Sequence, residues 1–350
     1  MEIEVVVKLL LPLLTGALVA LIGIKILLRY KSGLGGEKGS REEIRWSHQQ
    51  VPTIGGLILF VAFLSGNVFH FYYIGSYNIH LIIGAFFVFA IGLYDDLKGL
   101  GVAAKFIGQL AVAIGTSMNG FGFHLIAPVP DMIISVFFWV AIMNSFNMLD
   151  NMDGVAGSVV LIFFIGCAVF VNWIGSISLI GGVIVFLIYN MKPAKIYLGD
   201  SGSLMLGYIM GFFGIALIDS FLFLSESKFL DILALIFCIF CFPLADTVVV
   251  VVNRLVAGIS PTRGGRDHST HHLVYAGVKE KVIPYCYMGV SVLGWLILIL
   301  AMYLGCMGPV GSCAAWFSFA AFGFFILVTS LLWIISRYNI RNNKFTYTSQ

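Results

Sequence analysis

Charge is what this sequence is short of. Of 350 residues only 11% are Asp, Glu, Lys or Arg, whereas 60% are hydrophobic and 15% aromatic. Such a chain has more apolar surface than a water-soluble core of its size can hide, which excludes a soluble globular protein and makes lipid the expected surroundings. Cysteine is scarce too, at six residues. Cys238 and Cys241 have the spacing of a metal pair, but no second pair completes a zinc site, so the cysteines read as small buried hydrophobes, with a Cys306–Cys313 disulfide left open. No internal repeat of fixed period is found. Gly33, Gly35, Gly36 and Gly39 follow no strand and make no nucleotide fingerprint. The formal net charge of +3 comes with no basic, aromatic module for nucleic acid.

What is present is a succession of apolar runs separated by short polar joints. They cover Val5–Leu28, Ile54–Phe71, Ile79–Leu93, Ala104–Met118, Ile133–Met148, Val155–Val171, Ser176–Met191, Leu204–Leu217, Ile232–Val252, Tyr285–Leu304 and Ala314–Ile335. The expected fold is a single-domain, all-α polytopic integral membrane protein over residues 1–350, with about 11 transmembrane helices. The first run has no small-residue cleavage site after it and is expected to be retained as a span. Alternation of the runs puts nearly every Lys and Arg on one side, with Lys8 and Lys228 opposite. The positive-inside rule then predicts an outside amino terminus, a cytoplasmic carboxyl terminus with a solvated tail over 336–350, and a multi-pass protein of the cytoplasmic (inner) membrane.

The placement of acids carries the chemistry. A carboxylate at mid-membrane costs roughly 2.5–3.5 kcal/mol on insertion scales, and here Asp95, Asp96, Asp150, Asp153, Asp200 and Asp267 all fall at span ends or joints on the side read as cytoplasmic. Helix capping is the structural alternative for Asp153 before Gly154 and Asp200 before Ser201. It does not account for the adjacent pair Asp95-Asp96. Asp246 lies inside a run beside Pro243, and is either functional or a hydrogen-bond partner for a neighbouring helix.

A basic group follows on the same predicted side, from Arg263 and Arg266 through His268, His271 and His272. Acids together with guanidinium and imidazole suggest Mg²⁺ and phosphate: carboxylates bind a hard cation, which bridges phosphate oxygens, and Arg and His offset the remaining charge. Acid-rich partners favour this over zinc. Gly199-Asp200-Ser201-Gly202-Ser203 and Asn151-Met152-Asp153-Gly154 lead into spans, where free amides can hold anions; flexibility at a span boundary is the alternative for their glycines.

These blocks resemble the polyprenyl-phosphate N-acetylhexosamine-1-phosphate transferases, a superfamily that includes the lipid I synthases. The resemblance rests on His48-Gln49-Gln50-Val51-Pro52-Thr53-Ile54-Gly55-Gly56, on Asp95-Asp96 with Lys105-Phe106, and on Asn147 through Gly154. It continues through Asn190, Pro193 to Ser203, and Arg266-Asp267-His268 with His271-His272, in the family's order over most of the chain. Thr53-Ile54 and Asn151 depart from common family residues, and the His segment lacks the triple-His form of the lipid I synthases, which points toward the branch initiating other surface glycans.

The resemblance implies attack by a polyprenyl phosphate oxygen on the β-phosphorus of a UDP-linked N-acetylated sugar, N-acetylglucosamine by default, releasing UMP. It implies Asp200 and Asp153 as ligands of Mg²⁺, with Mn²⁺ as the alternative ion. Asp95, Asp96, Asp153, His268 and His271 are the implied catalytic residues. His48, Lys105, Asn147, Asp150, Asn190, Arg266 and His272 are the implied substrate contacts. A phosphate monoester with second pKa of about 6 is already mostly dianionic at neutral pH, so a base contributes little and single displacement is expected over an aspartyl-phosphate intermediate. The partners expected are the UDP-sugar, undecaprenyl phosphate, the bilayer and a second copy of the chain, with no nucleic acid. Lipid I synthesis is the alternative within the class. A transporter is the rival from another class, although transporters place acids near mid-membrane. A non-catalytic scaffold would leave the acid and His blocks without purpose.

Overall fold

A computed structural model describes residues 2–29, 51–76, 78–171, 173–222, 228–304 and 314–347. Among these the chain is helical, without strands, and gathers into two compact units that divide at Leu217 and Ile218. Residues 30–50, which include His48 and the four glycines noted above, lie outside the described residues, as do Cys306 and Cys313.

The first unit holds α1 (Glu2–Arg29), α2 (Gly55–Ile74), α3 (Ile79–Lys98), α4 (Val102–Met118), α5 (Pro128–Leu149), α6 (Val155–Phe170), α7 (Ile174–Asn190) and most of α8 (Gly199–Leu222). Of the most apolar window of α8, 94% is buried, against 22% for α1, so α8 is the core of this unit and α1 a peripheral helix. Tyr208 of α8 stacks on Trp139 of α5 and shares a hydrogen bond with Thr116 of α4. Helices α1, α2 and α7 pack together, and α3 and α5 each pack against α4.

The second unit holds α9 (Lys228–Ile239), α10 (Cys241–Val256), α11 (Ser269–Tyr275), α12 (Ile283–Tyr303) and α13 (Ala314–Arg341). The run Ile232–Val252, read from sequence as one span, is two helices bent by 89° at Phe240. Pro243 sits in the first turn of α10, where its missing N–H costs nothing; deeper in an unbroken helix it would remove a hydrogen bond and clash with the preceding turn. The described part of the expected tail, 336–347, is packed in part, with residues 341–344 exposed. Helix α13 continues to Arg341, with Ser336 and Asn339 buried, and Phe345 packs against His272 and Tyr275 of α11.

Among the described residues seven helices are long and apolar enough to cross a bilayer, and the bent pair would be an eighth. Three more apolar helices, α4, α6 and α7, have 17, 16 and 17 residues. At 1.5 Å per residue they reach about 25 Å, short of a hydrocarbon core of about 30 Å. The chain is thus an all-helical, multi-pass membrane protein. Cys167, Cys238 and Cys241 are buried free thiols, in line with their reading as small hydrophobes, while free Cys286 is exposed.

Candidate active site

The acid pair lies in the last turn of α3, and its two members do different work. Asp95 is buried; its carboxylate accepts the Leu100 N–H at 2.6 Å and the Lys105 ammonium at 3.2 Å, closing the tight corner from α3 into α4. Asp96 reaches across to another helix. One of its oxygens accepts the Asp200 N–H and the other the Ser201 N–H, each at 2.9 Å. These are amides of the first turn of α8, which have no intrahelical partner, so Asp96 supplies from a distant segment the capping expected of a residue next to the helix.

That arrangement corrects the capping reading of Asp200. Its carboxylate accepts the Lys105 ammonium at 2.9 Å, while the first-turn amides are taken by Asp96. Lys105 therefore bridges Asp95 and Asp200. Of the bridged carboxylates Asp200 is the accessible one, its side chain 27% exposed against 3% for Asp95. The glycines here permit close approach. Gly199 has φ +75°, and a Cβ on it would lie 2.6 Å from the Thr53 carbonyl oxygen and 2.7 Å from an Asp96 carboxylate oxygen. Boundary flexibility does not explain that position.

A second polar group is tied to the first through residues 190–199. Asn190 accepts the Gly154 N–H at 3.0 Å and donates to the Ile196 carbonyl at 2.9 Å. Asp153 accepts the Ala194 N–H at 3.1 Å, so it too binds a neighbouring segment and leaves the N-cap position of α6 to Gly154. Tyr197 and Leu198 offer their carbonyls to the N–H groups of Gly55 and Gly56 at the start of α2. Ser203, one turn into α8, donates to Asn147 at 2.6 Å. Asp150 caps the end of α5 and is half-buried. Within the first unit the structure thus links Asp95, Asp96, Lys105, Asn147, Asp153, Asn190 and Asp200 at one end of the helices.

The chemistry of this end suits a hard cation in part. Asp95, Asp96 and Asp200 face one ammonium and one helix terminus, leaving an excess of negative charge beside oxygen donors. Among the described residues no three His, Cys, Asp or Glu side chains are grouped so as to hold a metal by themselves. Mg²⁺ does not require such a group, because it is usually held by one or two carboxylates, water and substrate phosphates.

The basic segment belongs to the second unit. Asp267 and Arg254 form a buried two-toothed ion pair, at 2.7 and 2.8 Å, and Arg254 also donates to the Pro261 carbonyl. His268 meets Asp246 at 2.9 Å. His271 and His272 are buried, and Arg266 is half-buried. Burial pushes the His272 imidazole down to about 4 and that of His271 well below its ordinary value, so both are neutral at neutral pH. His272, wedged against Phe345 and Tyr275, is a packed residue rather than an exposed cation. The Arg254–Asp267 pair escaped the sequence reading, although a cation within the last turn of an apolar helix is a sign that a partner exists.

Residues 78–218, which carry all seven of the linked residues of the first unit, match the family model of glycosyl transferase family 4. The chain is 27% identical over 312 residues to a Bacillus subtilis (strain 168) protein named probable undecaprenyl-phosphate N-acetylglucosaminyl 1-phosphate transferase, covering 84% of this chain and 82% of that protein. It is 26% identical to a decaprenyl-phosphate N-acetylglucosaminephosphotransferase of Mycolicibacterium smegmatis (strain ATCC 700084 / mc(2)155), over 70% of this chain and 71% of that one. A phospho-N-acetylmuramoyl-pentapeptide-transferase of Bacillus cytotoxicus is 25% identical, over 76% and 88%. The family match and these relatives support the superfamily that the sequence motifs resemble, the polyprenyl-phosphate N-acetylhexosamine-1-phosphate transferases.

Proposed function

We propose that the protein transfers a sugar 1-phosphate from a UDP-sugar to a polyprenyl phosphate at the cytoplasmic membrane face, with N-acetylglucosamine phosphate as the default group and undecaprenyl phosphate as the default acceptor. An oxygen of the lipid phosphate bonds to the β-phosphorus of the donor, the bond from that phosphorus to the bridging oxygen breaks, and UMP leaves. The observation that carries this reading is the Asp95–Lys105–Asp200 bridge beside the amino terminus of α8, inside the segment that matches the family.

Two anions must approach each other in this reaction, and the residues divide that task. Lys105 is a cation placed to meet a phosphate once it lets go of Asp200. Asp95 keeps Lys105 in place through the exchange. Asp96 fixes the amino terminus of α8, and so the position of Asp200. Asp200, aided by Asp153, would hold Mg²⁺, or Mn²⁺ in its stead. When bound, the ion would supply neutralisation of the diphosphate. The acceptor arrives largely ionised, so no aspartate need act as base or nucleophile, and displacement is single.

Relatives named as an N-acetylglucosaminyl 1-phosphate transferase and as a phospho-N-acetylmuramoyl-pentapeptide-transferase are of similar identity, at 27% and 25%, so overall likeness does not separate the donors. The missing triple-His form favours the former. The test is a panel of UDP-sugars supplied to detergent-purified protein with undecaprenyl phosphate and Mg²⁺, scored by lipid-linked product and UMP. UDP-N-acetylglucosamine is expected to be used, and Asp200→Asn to be dead. Failure of every donor would overturn the reading, and radiolabelled phosphate trapped on Asp95 or Asp96 by donor alone would overturn single displacement.

A further inference from the structure

Asp246 stands apart from the acids assigned above. It lies in α10, an apolar helix of the second unit, and is fully buried, a costly position for a carboxylate unless strong partners surround it. Every partner seen on it comes from the start of the His segment or its immediate neighbourhood. One carboxylate oxygen stands 2.9 Å from Nδ1 of His268. The other accepts the Ser269 N–H at 2.8 Å and the Ser269 hydroxyl. Ser269 is in turn 2.6 Å from the Tyr287 hydroxyl, and the Tyr287 ring stacks on Phe242 at 3.9 Å, which walls the carboxylate with aromatic surface.

The same helix grips the preceding residue. Arg254, two turns further along α10, holds Asp267 with both teeth of its guanidinium. Residues 267–269 are therefore pinned at consecutive positions by one helix, through charges of opposite sign. A carboxylate facing Nδ1 settles which ring nitrogen carries hydrogen on that side, and leaves Nε2 as the atom that can meet a ligand.

We infer that Asp246 is a positioning residue for His268: it fixes the ring so that Nε2, and not Nδ1, is the nitrogen offered to a phosphate ligand. This deepens the proposed transferase reading and rests on it. Asp246 itself touches no substrate. Its effect on turnover runs through His268, which its bonds to the adjacent Ser269 help to seat.

The test is a double-mutant cycle on full-length purified protein, with UMP release read as kcat and KM. Asp246→Asn is expected to lower kcat about 10–100-fold, the range seen when a carboxylate that orients a histidine is lost from a metal site, with a smaller change in KM for the UDP-sugar. His268→Ala should lower it at least as far. The double variant should then be no worse than His268→Ala. Additive losses, or Asp246→Asn with undiminished kcat, would overturn the inference. Asp246→Glu, which keeps the charge and moves it by one methylene, replaces the Asn variant if that one does not fold, with the same non-additivity expected. Wild-type protein inactive on the whole donor panel would count against the transferase reading instead. In that event imidazole ¹⁵N signals of histidine-labelled protein, assigned with His268→Ala, decide the geometry: hydrogen on Nδ1 of His268 in the wild type and loss of that preference in the Asp246 variant are expected, and Nδ1 without hydrogen overturns it.

Discussion

The two ends of the first unit start their helices by different rules. At the end opposite the candidate site, the contacts around helix starts are local: Asn78 accepts the N–H of Leu81 three residues on, and Asp131 in the first turn of α5 accepts the amides of Leu125 and Ile126 in the segment leading into it. At the site end, α2, α6 and α8 are served from afar. Asp96 caps α8 across 104 residues, Asn190 takes the Gly154 amide across 36, and the carbonyls of Tyr197 and Leu198 take the first amides of α2. Local caps make a helix end independent of its surroundings. Remote caps make several helix ends one mechanical object, which is what a site with residues from several segments needs.

This contrast can be broken at graded points. The largest effect is expected from Asp200→Asn, which removes the accessible charge without a cap: UMP release should fall by about 10²–10³-fold while the thermal midpoint in detergent stays close to wild type. A midpoint that collapsed along with activity would make Asp200 a structural residue. Asp96→Ala should do both kinds of damage, because two hydrogen bonds to a charged group are lost at a helix terminus, a cost of about 3 kcal/mol. Thermal unfolding should register it, with turnover falling in the protein that remains folded. Asn190→Ala leaves the buried Gly154 amide and Ile196 carbonyl unpaired and should cost about 2 kcal/mol, read the same way. Least of all, Asn78→Ala should cost about 1 kcal/mol of a local cap, with UMP release within about twofold of wild type. If Asn78→Ala impaired turnover as severely as Asp96→Ala, the difference between the two ends would be empty.

How much of this was legible beforehand follows from the distance over which each property is decided. The acids Asp95, Asp96, Asp153 and Asp200 could be singled out because lipid makes carboxylates expensive, and their neighbours form blocks that read along the chain. Their separate duties could not be read. Adjacent Asp95 and Asp96 look equivalent in sequence, yet one closes a corner within five residues and the other caps a helix far along the chain. Capping by Asp153 and Asp200 was a local expectation, whereas the structure gives each a partner from a distant segment, the Ala194 amide and the Lys105 ammonium. Pro243 marked the break between α9 and α10, but a proline signals that a helix is interrupted and says nothing of the 89° that results.

The amino-acid sequence by itself determined residence in a membrane, an all-helical class and the family's order of motifs, since run length, hydrophobicity and residue pattern are properties of neighbours along the chain. Tertiary structure alone decided which carboxylate is spent on a helix terminus, which is left accessible behind a lysine, and which is buried against His268. The reason is that a hydrogen bond acts over about 3 Å of space, and contacts that close between residues far apart in sequence exist only once the helices have packed.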